Sequence, residues 1–171
     1  MMTDGDTQAS QVFDDVVRAE RSRLEAVAWA LLGDRHLAED VAQESLAKAY
    51  RRWDDVSRME SPGGWLHRVT VNDALSRRRR MTSERRALGR IHAVGEADAD
   101  QGERTAEALR VWAAVRALPR DQATAIALRY FADLEVAEIA LVTGRAVGTV
   151  KSDLYRGRER LRDRLLEEDA S

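Results

Sequence analysis

Apolar residues recur along the chain every three to four positions, and no stretch alternates strictly as a half-buried strand would. Phe13, Val16, Val17, Leu24, Val27, Ala28 and Leu31 share one side of a predicted helix over 11–32. Gly33 suits its C-cap, and Asp34 can cap the next helix by accepting a backbone N–H. That second helix reaches about position 53, with Val41, Ala42, Leu46, Ala49, Tyr50 and Trp53 as a buried band. Asp40, Gln43, Glu44, Ala47, Lys48 and Arg51 lie opposite. After a loop over 54–60, Ser61-Pro62 reads as a cap followed by proline at the first helical position. The third helix runs towards Arg80. Its stripe starts apolar (Trp65, Leu66, Val69) and continues polar (Asn72, Asp73, Ser76). Either Val71, Ala74 and Leu75 turn inward instead, or the polar groups are held for a ligand.

Beyond Arg80 the periodicity weakens, and Gly89, Gly95 and Gly102 interrupt it. A short helix over 85–92 and a linker over 93–104 are expected there. Helices resume at Thr105. Leu109, Trp112 and Ala113 start one that Pro119 ends, and Ala123, Ile126, Ala127 and Tyr130 line another. A helix over 135–142, a turn over 143–146 and a last helix from Val147 complete the chain, the last with Val147, Val150, Leu154, Leu161 and Leu165 on one stripe. The fold class is all-α, with two small helical domains over 11–92 and 105–166 joined by the linker.

Composition narrows what such helices can do. The 171 residues are 44% apolar, enough for real cores, and contain no cysteine, which excludes a disulfide scaffold and thiolate metal sites. No apolar run approaches the ~18 residues of a spanning helix, and the acidic start is the reverse of a secretory signal. A cytoplasmic protein without membrane insertion is expected. The net charge is only −2, but its distribution is uneven. Over 68–90, eight arginines against Asp73 and Glu84 give +6; over 145–164, seven bases against three acids give +4; the stretch 91–107 between them carries −4. Two basic blocks around an acidic tether point to two modules facing a polyanion. His36, His67 and His92 lack paired ligand spacing and no Gly-rich phosphate loop is present, so no catalytic constellation, metal or cofactor is expected, and no enzyme.

The most informative cluster lies near the C-terminus. Ile139-Ala140, then Gly144, then Thr149-Val150 have the spacing of a helix-turn-helix. Ile139 and Val150 can pack the two helices together, Ala140 permits close approach, and Gly144 supplies a left-handed turn. The outward face of the last helix holds Gly148, Thr149, Ser152, Tyr155 and Arg156, flanked by Lys151. Small residues followed by hydroxyls and cations suit a helix that meets the major groove N-terminus first.

The stretch ALPRDQATAIALRYFADLEVAEIALVTGRAVGTVKSDLYRGRERLR resembles region 4 of a bacterial sigma factor, which reads the −35 promoter element. LLGDRHLAEDVAQESLAKAYRRW followed by SPGGWLHRVTVNDALSRRRR resembles region 2. Their order and the chain's size resemble the extracytoplasmic-function (ECF) group, with its SigE-like subset one candidate. The resemblance implies docking on core RNA polymerase: Asp40, Gln43 and Glu44 on the β′ clamp helices, and region 4 on the β flap. It implies −10 contacts from Asn72 and Arg77, Arg78, Arg79 and Arg80, the arginines as phosphate clamps, on a melted non-template strand. On the double-stranded −35 element it implies Arg145, Thr149, Lys151, Ser152, Arg156 and Arg158. An anti-sigma factor is a further implied partner. One position departs: many family members carry Arg after the Lys-Ser pair, where this chain has Asp153, which leaves the −35 sequence open. The implied function is promoter-directed initiation by two modules that drift on a tether until polymerase spaces them. The alternative is a stand-alone helix-turn-helix regulator.

Overall fold

Local chemistry sets where each helix stops. In the computed structural model, which describes residues 4–87 and 106–169, α1 (Asp4–Leu32) ends at Gly33, whose φ of 76° is left-handed. Asp34 then caps α2 (Arg35–Arg51), its carboxylate accepting from the Leu37 N–H at 2.9 Å. A four-residue helix, α3 (Trp53–Val56), overlaps the start of the expected loop, and Pro62 opens α4 (Pro62–Ala87). The short helix expected over 85–92 is not separate at its start, because α4 continues to Ala87; its remainder and the linker lie outside the described residues. The second half forms α5 (Ala106–Arg116), α6 (Arg120–Phe131), α7 (Val136–Thr143) and α8 (Val147–Asp169). Among the described residues all regular structure is helical.

α1 packs along α2 and α4 through a small cluster of Leu24, Ala42, Leu46, Ala49 and Leu66, with Phe13 and Trp65 against it. Further along, the same helix enters a larger core. There Val27, Ala28, Trp29, Ala30 and Leu31, with Val71, Ala74 and Leu75 of α4, meet Val115, Leu118, Ile126, Leu128, Ile139, Val150 and Leu154 of the second half. Of the two alternatives for α4, Val71, Ala74 and Leu75 turn inward and Asn72 faces out. An aromatic stack bridges the halves: Trp29 meets Trp112 edge-on at 3.9 Å between ring centroids, and Trp112 stacks on Phe131 at 3.8 Å. The two helical domains are thus present and closed on each other through the larger core, an arrangement that the residues alone left open.

Polar groups reinforce this seam. The Arg68 guanidinium donates from Nε to the Val142 carbonyl at 3.1 Å and from Nη2 to the Leu141 carbonyl. Both carbonyls belong to the last turn of α7, where a cation is favoured. Arg78 donates to the Arg116 carbonyl at 2.6 Å. The Arg116 side chain is itself buried against Gly33, with Nη1 lacking a partner. Three aromatic or aliphatic assignments also need correcting. Tyr50, Tyr130 and Val147 are exposed, Tyr50 while in T-shaped contact with Phe13 at 5.2 Å between ring centroids.

One buried polar pair ties α1 to α4. His67 is fully buried and its Nε2 lies 2.9 Å from Oε2 of Glu20. That hydrogen bond, more than its charge, holds the Glu20 carboxyl below its ordinary value of 4.5, against desolvation. A depressed carboxylate contributes stability above the unfolded value and loses it as pH falls through the folded one. Glu20→Gln should lower Tm at neutral pH, with the gap to wild type closing below pH 4.5 in thermal scans. Gly33 gives a second check. An added Cβ there would sit 2.6 Å from Arg116 Nε, whereas one at Gly144 (φ 67°) meets nothing within 4 Å. Gly144→Ala should cost only the left-handed strain of about 1–2 kcal/mol, and Gly33→Ala more, by chemical denaturation.

Candidate nucleic-acid interface

The helix-turn-helix is built as the spacing predicted. A capping box of Glu135 and Glu138 starts α7, and Gly144 closes it in the left-handed conformation, after which the Arg145 N–H donates to the Ala140 carbonyl at 3.1 Å. Ile139 and Val150 are buried between α7 and α8, and Ala140 is buried with them. Gly157 sits where a Cβ would come within 3.0 Å of Ile126, so α8 closes tightly on α6. Arg160 adds a hydrogen bond to Gln122 at 3.1 Å. These contacts fix one face of α8 and leave the other to solvent.

Thr149, Ser152 and Arg156 are exposed on that open face, and Lys151 and Arg158 are exposed at its flank. Ser152 donates back to the Gly148 carbonyl at 3.1 Å, and no atom comes within 4 Å of a Cβ built on Gly148, so the first turn of α8 presents little bulk. Arg145 is different. Its Nη1 lies 2.7 Å from Asp121 of α6 and 3.0 Å from Asp153 of α8.

The first module sorts its charges likewise. Asp40, Gln43 and Glu44 are exposed on the α2 face opposite the buried band. Lys48 pairs with Asp73 at 2.6 Å, and Glu44 accepts from Arg77 at 2.8 Å, so α2 and α4 are laced together beside Asn72. The hydrogen bond from Arg77 holds the Glu44 carboxyl below 4.5. Of the four consecutive arginines, Arg77 is thus paired, Arg78 is drawn into the seam, and Arg79 and Arg80 stand exposed. Asn72 lines a cleft of about 300 Å³ between the modules, across from Thr143, Gly144 and Arg145 and beside Arg68 and Arg120. Arg68 and Arg116 escaped the sequence reading because neither breaks a periodic pattern. The only available signal was Gly33, whose turn leaves room for the Arg116 side chain. Among the described residues there is no group of side chains suited to a metal, and no helix is long and apolar enough to cross a membrane.

Residues 16–84 match the sigma-70 region 2 family and residues 108–161 the sigma-70 region 4 family. The chain is 33% identical over 171 residues to the ECF RNA polymerase sigma factor SigE of Mycolicibacterium smegmatis, covering 94% of this chain and 64% of that one. It is 30% identical over 167 residues to the ECF RNA polymerase sigma factor SigW of Bacillus subtilis, covering 90% of this chain and 88% of that one. Its structure superposes on the sigma factor RpoE of Bartonella quintana, solved with the anti-sigma factor NepR, with a TM-score of 0.77 at 25% identity over 91% of this chain and 97% of that one. The chain belongs to the ECF group of the sigma-70 family.

Because Arg68 grips the end of α7 through two charged hydrogen bonds, Arg68→Ala should loosen the closed form by about 1–3 kcal/mol. Fluorophores on α4 and α8 should then report a longer, broader distance distribution. An unchanged distribution would mean that the apolar core alone holds the seam.

Proposed function

We propose that this chain directs core RNA polymerase to promoters, and that the closed arrangement is its form before polymerase separates the modules. The observation that carries this is geometric. The −10 and −35 elements are named for positions 25 base pairs apart, about 85 Å of B-DNA at ~3.4 Å per base pair. A compact chain of 171 residues has a radius of gyration of only ~16 Å. With α1 joined to α5 through Trp29 and Trp112, and α4 to α7 through Arg68, the two halves are held together and one molecule is too short to reach both elements. Polymerase supplies the spacing, and the second contact then becomes intramolecular.

Asp40, Gln43 and Glu44 engage the β′ clamp helices, and the second module engages the β flap. Asn72 reads a base edge of the −10 element, where an unstacked base of the non-template strand is held by the protein. Arg79 and Arg80 meet phosphates at once, and Arg77 and Arg78 once their present partners yield. Thr149, Lys151, Ser152, Arg156 and Arg158 meet the −35 duplex as α8 enters the major groove. Polymerase performs the phosphodiester chemistry; this subunit supplies address and strand opening, in the cytoplasm. An anti-sigma factor that stabilises the closed form fits the same geometry. A stand-alone regulator would need a dimerisation or ligand module where residues 16–84 instead match region 2.

Transcription from a genomic library with purified core enzyme provides the test. Added chain should produce defined starts with aligned upstream elements, and tight selective binding without polymerase would overturn the reading. Asn72→Ala should shift preference at one −10 base by about 1–3 kcal/mol, whereas Arg79→Ala should weaken all sequences alike and flatten the salt dependence by about one log–log unit.

A further inference from the structure

Arg145 carries two carboxylates on one nitrogen, and the two acids are not equivalent. Asp153 projects from the second turn of α8 and its side chain is only 14% exposed. Asp121 comes from the first turn of α6 and is 56% exposed, at the wall of the cleft between the modules. A guanidinium needs one carboxylate to fix its place; a second, solvent-facing one is the partner that a competing anion displaces with least desolvation. The Arg145 side chain is itself 31% exposed and stands just ahead of the α8 N-terminus, whose free amides and dipole favour a phosphate.

We infer that Asp153 and Asp121 form a two-sided holder for Arg145, in which Asp153 is a permanent positioning residue and Asp121 occupies the place a DNA phosphate takes on binding. Asp153 reads no base. It acts through Arg145, keeping that cation at the turn while Asp121 is exchanged for the DNA backbone. The inference rests on the assignment of α8 to the −35 duplex.

Opposite signs make this testable. Generic electrostatics says that deleting either acid near DNA should tighten binding, because a negative charge is removed. The holder says otherwise. With holoenzyme and fluorescent duplexes enriched from a randomised −35 library, Asp153→Ala should weaken binding about tenfold. Asp121→Asn should tighten it about threefold and steepen the salt slope by about one unit, because Arg145 is released. In an Arg145→Ala background both effects should vanish. Asp153→Asn, nearly isosteric, should move in the same direction as the alanine variant and stands in for it if that variant fails to fold. Tightening by both Asp153 variants overturns the inference. Loss of discrimination at one base pair that persists in Arg145→Ala makes Asp153 a base reader and overturns it too. So does tightening by Asp121→Asn that survives without Arg145. Arg156→Ala is the reference. If it leaves binding intact, the −35 assignment has failed. If it weakens binding while the acid variants do not follow the pattern above, the holder alone has failed.

Discussion

The structure depends on α1 being buried from two sides. A helix in a small bundle normally hides one stripe and wets the other. Over Val27–Leu31 this one is enclosed almost all round, by α2 and α4 on one flank and by α5 and α6 on the other. Each large apolar side chain so enclosed contributes on the order of 1.5–3 kcal/mol, and the Trp29–Trp112–Phe131 stack concentrates that gain at the contact between modules. The direction in which α4 presents Asn72, and the distance from it to α8, follow from this shared spine.

Helices and their faces were legible in the residues because the period is simple and the stops are chemically explicit. Gly33, Asp34, Pro62, Pro119 and Gly144 all mark boundaries where the structure has them. The helix-turn-helix was legible for the same reason, since three anchors at set spacing have few other uses. The relation between modules was not. A Trp at position 29 or 112 reads as core without naming which core, and an arginine at 68 or 116 reads as surface. Contacts 74 residues apart, such as Arg68 to the Val142 carbonyl, leave no local trace in the pattern. Tyr50 and Tyr130 failed for a different reason: a phenol prefers to keep its hydroxyl wet, so a helical stripe overstates its burial.

Charge along the chain divides by task more finely than its local sums imply. The +6 block over 68–90 contains Arg68 and Arg78 at the seam, Arg77 paired with Glu44, and Arg79 and Arg80 exposed. On α8 the same sorting leaves a cationic face without obstruction. A basic stretch in a sequence thus overcounts the cations ready for a polyanion, because some are already spent on carbonyls and carboxylates of the fold.

Arg116 makes the closed form a catch instead of a weld. Its guanidinium has lost most of its hydration, which together with the neighbouring Arg78 pulls its pKa below the usual arginine value, and Nη1 finds no acceptor in exchange. If the halves part as proposed, water returns to both cations, and that recovered solvation offsets a share of the apolar surface laid bare. The resting shape therefore stores part of the work needed to leave it.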